Sequence, residues 1–343
     1  MIHNNLEFHN VVEIEPPDSL LRRFPAAIRN TLSPLGRMVA QDAAGCEIRF
    51  VTDSTHLRVS LSAMPSPLGP YEQHAQDLTV FNGPFFHSVH RIATSGVSHI
   101  QIPDIGAVQK LKYAALAPER RHGCGFSVDV WRLCLGRYTA GFHGLETYGF
   151  PVRPPQPAEV PRQKWLAYGS SITNGASPTG HHLSYLYHAA RALGVDVFNQ
   201  GLSGACHCEP AVADYFAART DWDFATLELG VNMRGSFTAA EFRTRTTYLI
   251  QQLAQTGKPV VLITIYPNSE TGTPSPNGIA EAEFGTILRD LVRQINRTNL
   301  HLIDGAEILT DFTNLTRDLI HPSDYGHIQM GLNLAMTLKR ILP

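Results

Sequence analysis

The pattern of apolar residues changes at a proline-rich segment near the middle of the chain. Residues 149–164, GFPVRPPQPAEVPRQK, contain five prolines, and proline breaks helices and inner strands because it lacks a backbone donor. Short stretches with strand character precede this segment, and longer alternating units follow it. A length of 343 residues also exceeds the usual size of one core. We therefore predict two domains, residues 1–150 and 165–343, joined by a linker at residues 151–164.

The region before the linker predicts an all-β domain. The stretches with strand character are GCEIRFVT from residue 45, HLRVSLSA from residue 56, DLTVFNG from residue 77 and CGFSVDVWRLCL from residue 124. The last one alternates two sets of positions, Phe126, Val128 and Val130 against Ser127, Asp129 and Trp131. This period is typical of a strand with one buried face. Such strands with turns between them favour a β-sandwich, of jelly-roll type. A short helix is expected earlier, in DSLLRRFPAAIRNTL from residue 18.

The region after the linker predicts a different fold class. Five apolar runs read as strands: WLAYGS, VDVFNQG, FATLELG, PVVLITIYP and LHLIDGA. Helix candidates lie between them at residues 183–193, 210–218, 239–256 and 279–298, and a final helix is expected after Gly326. Near-continuous apolar strands joined by helices indicate a parallel sheet covered on both faces. We therefore predict an α/β domain with a five-stranded parallel sheet.

Composition excludes several classes of function. The net charge is -2, the estimated pI is 6.8, and the sequence contains no run of Lys and Arg. We therefore expect no basic surface of the kind that binds nucleic acid. The N-terminus lacks the pattern of a secretory signal, and no stretch approaches the roughly 18 apolar residues of a membrane span. We expect a cytoplasmic protein without a membrane segment. Its five cysteines suit free thiols better than a disulfide framework.

Three small polar or glycine clusters follow the first three predicted strands. They are GSSITNG, NQGLSG and ELGVNMRG. Ligands of parallel α/β sheets bind beyond the carboxyl ends of the strands. We therefore expect the three clusters to meet at one edge of the sheet.

Ser171 in the first cluster and His321 near the C-terminus are candidates for nucleophilic chemistry. A serine hydroxyl needs a base to accept its proton, and Asp318, three residues before His321 in DLIHPSDYGH, can orient that imidazole. Each motif alone has a simpler interpretation, because turn serines and Asp-x-x-His pairs are common. The chain also contains 16 histidines.

Gly204 and Asn232 are candidates for donors to a developing oxyanion. Glycine lets a backbone N–H approach a ligand closely, and an asparagine amide at a strand end can serve the same purpose. A plain turn glycine and a helix-capping asparagine are the alternatives.

Together these pieces resemble the SGNH hydrolases, also called the GDSL esterase and lipase superfamily, whose markers Ser, Gly, Asn and His occur in this chain order. The resemblance covers roughly residues 165–343 and implies a flavodoxin-like three-layer domain with a triad of Ser171, Asp318 and His321. It also implies an oxyanion hole formed by Ser171, Gly204 and Asn232. Ser170 stands where the family often has Asp, a position outside the four markers. The stretch is not the G-x-S-x-G elbow of α/β-hydrolases.

The resemblance leaves three functions open. The first is a serine esterase acting on a small-molecule or carbohydrate ester through an acyl-Ser171 intermediate, with His321 as base. The second is an acyltransferase that moves the acyl group to a hydroxyl of a sugar or natural product. The third is a catalytically inactive glycan-binding module. The acyl group, the alcohol and the oligomeric state stay open at this point.

Two further clusters are candidate metal sites. Cys206, His207 and Cys208 lie together in CHCEP, and His87 and His90 lie in FFHSVH. Neither has a second cluster that would complete a closed tetrahedral zinc site. We therefore expect neither metal nor another cofactor. We also expect the sandwich to shape the substrate site, since ligand sites favour domain interfaces.

Overall fold

A computed structural model describes residues 1–64, 76–103 and 125–342. Two antiparallel sheets form its N-terminal half, and one parallel sheet forms its C-terminal half. The predicted β-sandwich and the predicted α/β domain with its five-stranded parallel sheet are both confirmed. No helix in the described part of the chain has the length and apolar character that a bilayer crossing requires.

The sandwich consists of a six-stranded and a five-stranded sheet among the described residues. The first has the order β1 (Ile2–His3), β2 (Leu6–His9), β5 (Glu47–Val51), β10 (Val130–Cys134), β7 (Asp77–Asn82) and β8 (Phe85–Arg91). The second has the order β3 (Glu13–Glu15), β4 (Leu20–Arg22), β11 (Thr139–Glu146), β6 (His56–Met64) and β9 (Val97–Pro103). Strand β6 buries every second side chain, as its alternating sequence predicts. These side chains pack between the two sheets.

One prediction for this region is wrong in detail. The strand expected from residue 124 begins at Val130, and residues 127–129 before it form a turn; Cys124 lies outside the described residues. Strand β10 is buried on both faces, because the α/β domain covers the outer face of its sheet. The short helix expected within residues 18–32 is present as α1 (Ala26–Arg29), and α2 (Pro34–Val39) follows it. Pro25 precedes α1, and the residues before it pair as strand β4.

The parallel sheet has the order β13 (Asp196–Asn199), β12 (Lys164–Tyr168), β14 (Phe224–Glu228), β15 (Val260–Ile263) and β16 (Leu300–Ile303). The helices of this domain are α3 (Ser171–Asn174), α4 (Tyr185–Leu193), α5 (Pro210–Ala218), α6 (Ala239–Ala254), α7 (Pro276–Ile295), α8 (Gly305–Ile308) and α9 (Asp324–Ile341). Helices α5, α6 and α7 cover one face and α4 and α9 the other. Alternate residues of one strand enter the two cores: Leu166 faces α5, whereas Trp165 faces α9.

The interface between the sandwich and the α/β domain is ionic and buried. Arg49 of β5 donates from both terminal nitrogens to the carboxylate of Asp196 in β13, at 2.7 Å each. The Arg49 Nε also donates to Glu47 at 2.7 Å. Burial acts to raise the pKa of Asp196, but Arg49 outweighs it and holds that pKa well below its usual range. His9 contacts the same carboxylate at 3.3 Å, and its ring is neutral because burial, and then Arg49, lower its pKa to about 3.

The proline-rich segment between the two parts has little regular structure. Pro157–Glu159 form one 3-10 turn, and Arg153 makes a single bridge to Val51 of the sandwich. Arg153 also binds Glu159 through two hydrogen bonds of 2.7 Å. The segment delivers the chain directly into β12, the strand that precedes Ser171.

Candidate active site

Ser171 is the first residue of the short helix α3, which begins after Gly169 and Ser170 at the end of strand β12. Ser170 caps this helix, since its Oγ accepts a hydrogen bond from the backbone N–H of Ile172 at 3.2 Å. Gly169 makes the tight exit possible, because a Cβ there would lie 2.3 Å from Thr173 Oγ1. The strand, turn and helix together place the half-buried Ser171 at the carboxyl end of the sheet.

A chain of short hydrogen bonds connects Ser171, His321 and Asp318. The Oγ atom of Ser171 lies 2.7 Å from His321 Nε2, although 150 positions separate the two residues. His321 Nδ1 lies 2.7 Å from Asp318 Oδ2. With the proton on Nδ1 donated to the carboxylate, Nε2 is free to accept the hydroxyl proton. The structure thus brings the three residues expected for a triad into one hydrogen-bonded chain.

The loop that carries Asp318 and His321 organises itself locally. The Asp318 Oδ1 atom accepts backbone N–H groups of Ile320 and His321, each at 2.9 Å, and the hydroxyl of Thr316 at 2.8 Å. Partial burial acts to raise the pKa of Asp318, but the hydrogen bonds from His321 and these donors hold it well below the usual range. Leu319 adopts a left-handed φ of 56° to close the turn. Asp318 is therefore ionised at neutral pH and already oriented toward the imidazole.

Gly204 lies in the loop that follows β13, at residues 200–206. It has a left-handed φ of 66° and is exposed, whereas its neighbours Ser203 and Ala205 are buried. A Cβ at Gly204 would lie 3.0 Å from Cδ2 of Leu35 in helix α2. The N-terminal half of the chain therefore lies directly beside this glycine.

Asn232 follows β14 and lies against the same loop. Its Oδ1 atom accepts the backbone N–H of Cys206 at 3.3 Å, which leaves the amide Nδ2 as the donor end of the side chain. Asn232 is half-buried, and the backbone around it turns through a bond from Met233 N–H to Gly230 O at 2.8 Å. The segments that carry Gly204 and Asn232 are thus in contact.

Comparisons with known proteins identify the family of the α/β domain. Residues 167–328 match the model of the GDSL-like Lipase/Acylhydrolase family. The α/β domain belongs to the SGNH hydrolase superfamily. This match assigns the domain to the enzymes of the ester hydrolase and acyltransferase class. No curated protein matches the sequence.

Solved structures share the fold of the whole chain. A salicylyl-acyltransferase from a tetracycline biosynthetic pathway is similar with a TM-score of 0.79 at 19% identity, over 99% of this chain and 96% of that one. A GDSL-like lipase from Bacteroides ovatus has a TM-score of 0.72 at 20% identity, over 94% and 91%. A family two carbohydrate esterase from Cellvibrio japonicus has a TM-score of 0.57 at 13% identity, over 99% and 96%. At these identities the likeness concerns the fold, and it includes the sandwich as well as the SGNH domain.

Glu228, which the sequence analysis did not single out, lies directly behind the candidate nucleophile of the SGNH domain. This buried carboxylate ends β14, and its Oε2 accepts the backbone N–H of Ser170 at 2.6 Å and the hydroxyl of Thr173 at 3.2 Å. Its Oε1 is buried without a hydrogen-bond partner among the described residues. Burial raises the pKa of Glu228 to about 7, and the bonds from Ser170 and Thr173 only partly oppose it. The sequence does contain a signal for Glu228, since it is a glutamate inside the apolar run FATLELG and buried charges are rare.

The cysteines and histidines weighed as metal ligands have other surroundings. Cys206 and Cys208 are buried beside the site, and burial raises the pKa of the Cys206 thiol. His87 and His90 both contact the hydroxyl of Ser88, at 2.7 and 2.8 Å. In the described ranges, no group of three or more His, Cys, Asp or Glu side chains is arranged to hold a metal ion.

Proposed function

We propose that the protein is a serine esterase that cleaves an ester through an acyl-Ser171 intermediate, with His321 as general base. The observation that carries this proposal is the continuous hydrogen-bonded chain from Ser171 Oγ through His321 to Asp318. A base within hydrogen-bond reach of a hydroxyl, oriented in turn by a carboxylate, is the arrangement that activates serine.

In the first step Ser171 Oγ attacks the ester carbonyl while His321 Nε2 takes the hydroxyl proton. The new C–O bond forms as the carbonyl π bond moves its electron pair onto oxygen. The imidazolium is stabilised by the ionised Asp318, whose carboxylate contacts Nδ1 at 2.7 Å. When the tetrahedral intermediate collapses, His321 returns the proton to the leaving alcohol, and the acyl group stays on Ser171.

The oxyanion formed in this step needs fixed donors. We assign that role to the backbone N–H groups of Ser171 and Gly204 and to the side-chain amide of Asn232. The exposed Gly204 and the half-buried Asn232 suit it, because the donors must reach the substrate while their loop stays fixed. Such preorganised donors stabilise the transition state more than the bound substrate.

Acyl transfer is the second candidate. The acyl-Ser171 intermediate is the same whether water or a hydroxyl of a sugar or natural product attacks it, with His321 removing the proton. The fold of the whole chain supports both candidates, since a salicylyl-acyltransferase and carbohydrate esterases have it. The acceptor that attacks the intermediate therefore separates the two functions.

Two measurements test these proposals. A fluorophosphonate should label Ser171 in the wild-type protein, and Ser171→Ala should abolish labelling and lower kcat by several orders of magnitude, as for other triad nucleophiles. A panel of acyl esters, including acetylated sugars, is then assayed with and without added alcohols, and the acid and the new ester are quantified together. Free acid as the main product supports the esterase, and a new ester in excess supports transfer.

Ser170→Ala is the matched control, because it removes the adjacent hydroxyl and its helix cap but leaves Ser171 in place. This variant should still be labelled at Ser171 and still turn over. If labelling is lost in Ser170→Ala but retained in Ser171→Ala, the nucleophile is Ser170 and the proposal for Ser171 is wrong.

A further inference from the structure

Arg137 lies in the sandwich, in the short connection between β10 and β11, yet its guanidinium reaches the SGNH domain. The residue is buried, with 4% of its surface exposed. Its Nε donates to Asn174 Oδ1 at 2.6 Å, and its Nη2 donates to Ser203 Oγ at 2.7 Å. One side chain of the sandwich thus binds two side chains of the other domain.

These two partners belong to different parts of the candidate site. Asn174 ends helix α3, which begins at Ser171, and Ser203 directly precedes Gly204. Ser203 Oγ also donates to Asn174 Oδ1 at 2.9 Å, which closes a ring of three hydrogen bonds. The ring connects the helix of the candidate nucleophile to the loop of a candidate oxyanion donor.

The helix and the loop are in direct contact at this ring. A Cβ on Gly201 would lie 2.3 Å from the backbone nitrogen of Asn174. The Asn174 amide donates to Gly201 O at 3.1 Å, and Leu202 N–H donates to Gly169 O at 2.8 Å. The separation between Ser171 and Gly204 is therefore determined by contacts with little free space.

Arginine suits this position for a geometric reason. Its planar guanidinium presents several donors in one rigid plane, so a single side chain holds two acceptors at a set separation. A lysine keeps the charge but offers a point donor on a flexible stem. Loss of the fork would leave the buried Ser203 Oγ without its donor and Asn174 Oδ1 with only the donor Ser203, a change that local structure relieves by shifting.

We propose that Arg137 is a positioning residue for the formation of the acyl-Ser171 intermediate. Its side chain holds the turn at Ser203 and Gly204 at the separation from helix α3 that this reaction needs. This inference rests on the proposed function, in which Gly204 donates to the oxyanion. Because the oxyanion exists only after attack by Ser171, a displaced Gly204 lowers kcat and has little effect on KM.

Arg137→Lys and Ser203→Ala test the proposal from both sides of the contact, and Arg132→Lys is the matched control. Arg132 is an equally buried arginine of the same sandwich, also 4% exposed, which donates to Glu47. We expect Arg137→Lys and Ser203→Ala to lower kcat about 10- to 100-fold, the range for a displacement near 1 Å, with KM changed less than about threefold. Arg132→Lys should change kcat by less than about threefold, well below the loss expected for a displacement near 1 Å.

Each result has a defined meaning. A folded Arg137→Lys protein with wild-type kcat, a change confined to KM, or an equal loss of kcat in Arg132→Lys would overturn the proposal. If Arg137→Lys does not fold, Ser203→Ala decides by the same criteria. Fluorophosphonate labelling of wild-type Ser171 separates the two levels, because failure to label contradicts the proposed function itself, whereas labelling with unchanged kcat in the variants contradicts only the role of Arg137.

Discussion

The two sides of the candidate site are held in opposite ways. Asp318 and His321 lie in an exposed loop, with 45% and 25% of their side chains accessible, and this loop binds its own backbone. The loop that carries Gly204 is mostly buried, and side chains of the N-terminal half hold it. Arg23 donates to Asn199 O at 2.9 Å and to Gly201 O at 3.2 Å.

This difference divides the chemistry between the two halves of the chain. The proton-transfer side needs only residues of the SGNH domain, since its hydrogen bonds span three residues or fewer within the loop. The side proposed to bind the oxyanion is held by arginines that belong to the sandwich. The sandwich is therefore expected to affect the stabilisation of charge more than the activation of Ser171.

Asp318→Asn tests the exposed side and should have the largest effect. The amide presents the wrong hydrogen-bonding group to His321 and favours the wrong tautomer, so kcat should fall by about 10⁴ while the melting temperature changes little. The measurement is steady-state hydrolysis together with thermal unfolding.

Asp324→Asn is the control for Asp318→Asn, because Asp324 binds Thr179 on the neighbouring segment at 2.7 and 2.8 Å. This control should retain most activity. A similar loss in both variants would show that the general order of the loop matters, and not the contact with His321.

Asn232→Ala tests the buried side and should have the second largest effect. Loss of the amide donor should lower kcat about 10²- to 10³-fold, with a smaller change in KM. Asn232→Asp is the matched variant, since it keeps an oxygen for the Cys206 N–H but replaces the donor with an acceptor. Near-normal kcat in Asn232→Asp would assign Asn232 to the structure of the loop rather than to the oxyanion.

Glu228→Gln tests the buried carboxylate at the end of strand β14 and should have the smallest effect. Because its pKa is raised to about 7 in the folded protein, above about 4.5 for an unfolded glutamate, the stability that Glu228 contributes is complete below pH 4.5. It is lost as the pH rises through 7. The free energy of unfolding of Glu228→Gln relative to wild type should therefore increase between pH 4.5 and 8, by at most about 3 kcal/mol.

Urea unfolding of both proteins across this pH range measures that difference. Glu283→Gln, at an exposed position of α7, is the control and should leave the pH dependence unchanged. A constant difference between Glu228→Gln and wild type from pH 4.5 to 8 would contradict the assignment of this titration to Glu228.

Much of the SGNH domain was predictable because its signals are local. The helix predicted at residues 210–218 matches α5 at both ends, and all five predicted strands form the parallel sheet. An apolar pattern with the spacing of one helix or one strand directly indicates which residues of that element are buried. Ser171 and His321 could be paired in advance because their motifs resemble those of the SGNH hydrolases in chain order, and Asp318 lies only three positions from His321.

The sandwich was harder to predict because the α/β domain covers part of the outer face of one of its sheets. The alternation of a one-sided strand fails for β10, whose Arg132 and Cys134 are buried against the other domain. A short strand such as β4, with three residues, carries too few positions for a period. Contacts with a second domain hide the pattern on which the sequence argument depends.

The sequence by itself determined the order of the five strands and the longer helices of the α/β domain, the class of that domain and, through the resemblance, the residues of the candidate triad. Only the tertiary structure brought Arg137 to Ser203, which lies 66 positions away, and Arg49 to Asp196, 147 positions away. The physical reason is range: periodicity and capping report interactions within a few residues, whereas a buried ion pair or guanidinium fork forms only where two separately folded surfaces meet. The loop that carries Gly204, proposed to bind the oxyanion, is held by contacts of the second kind.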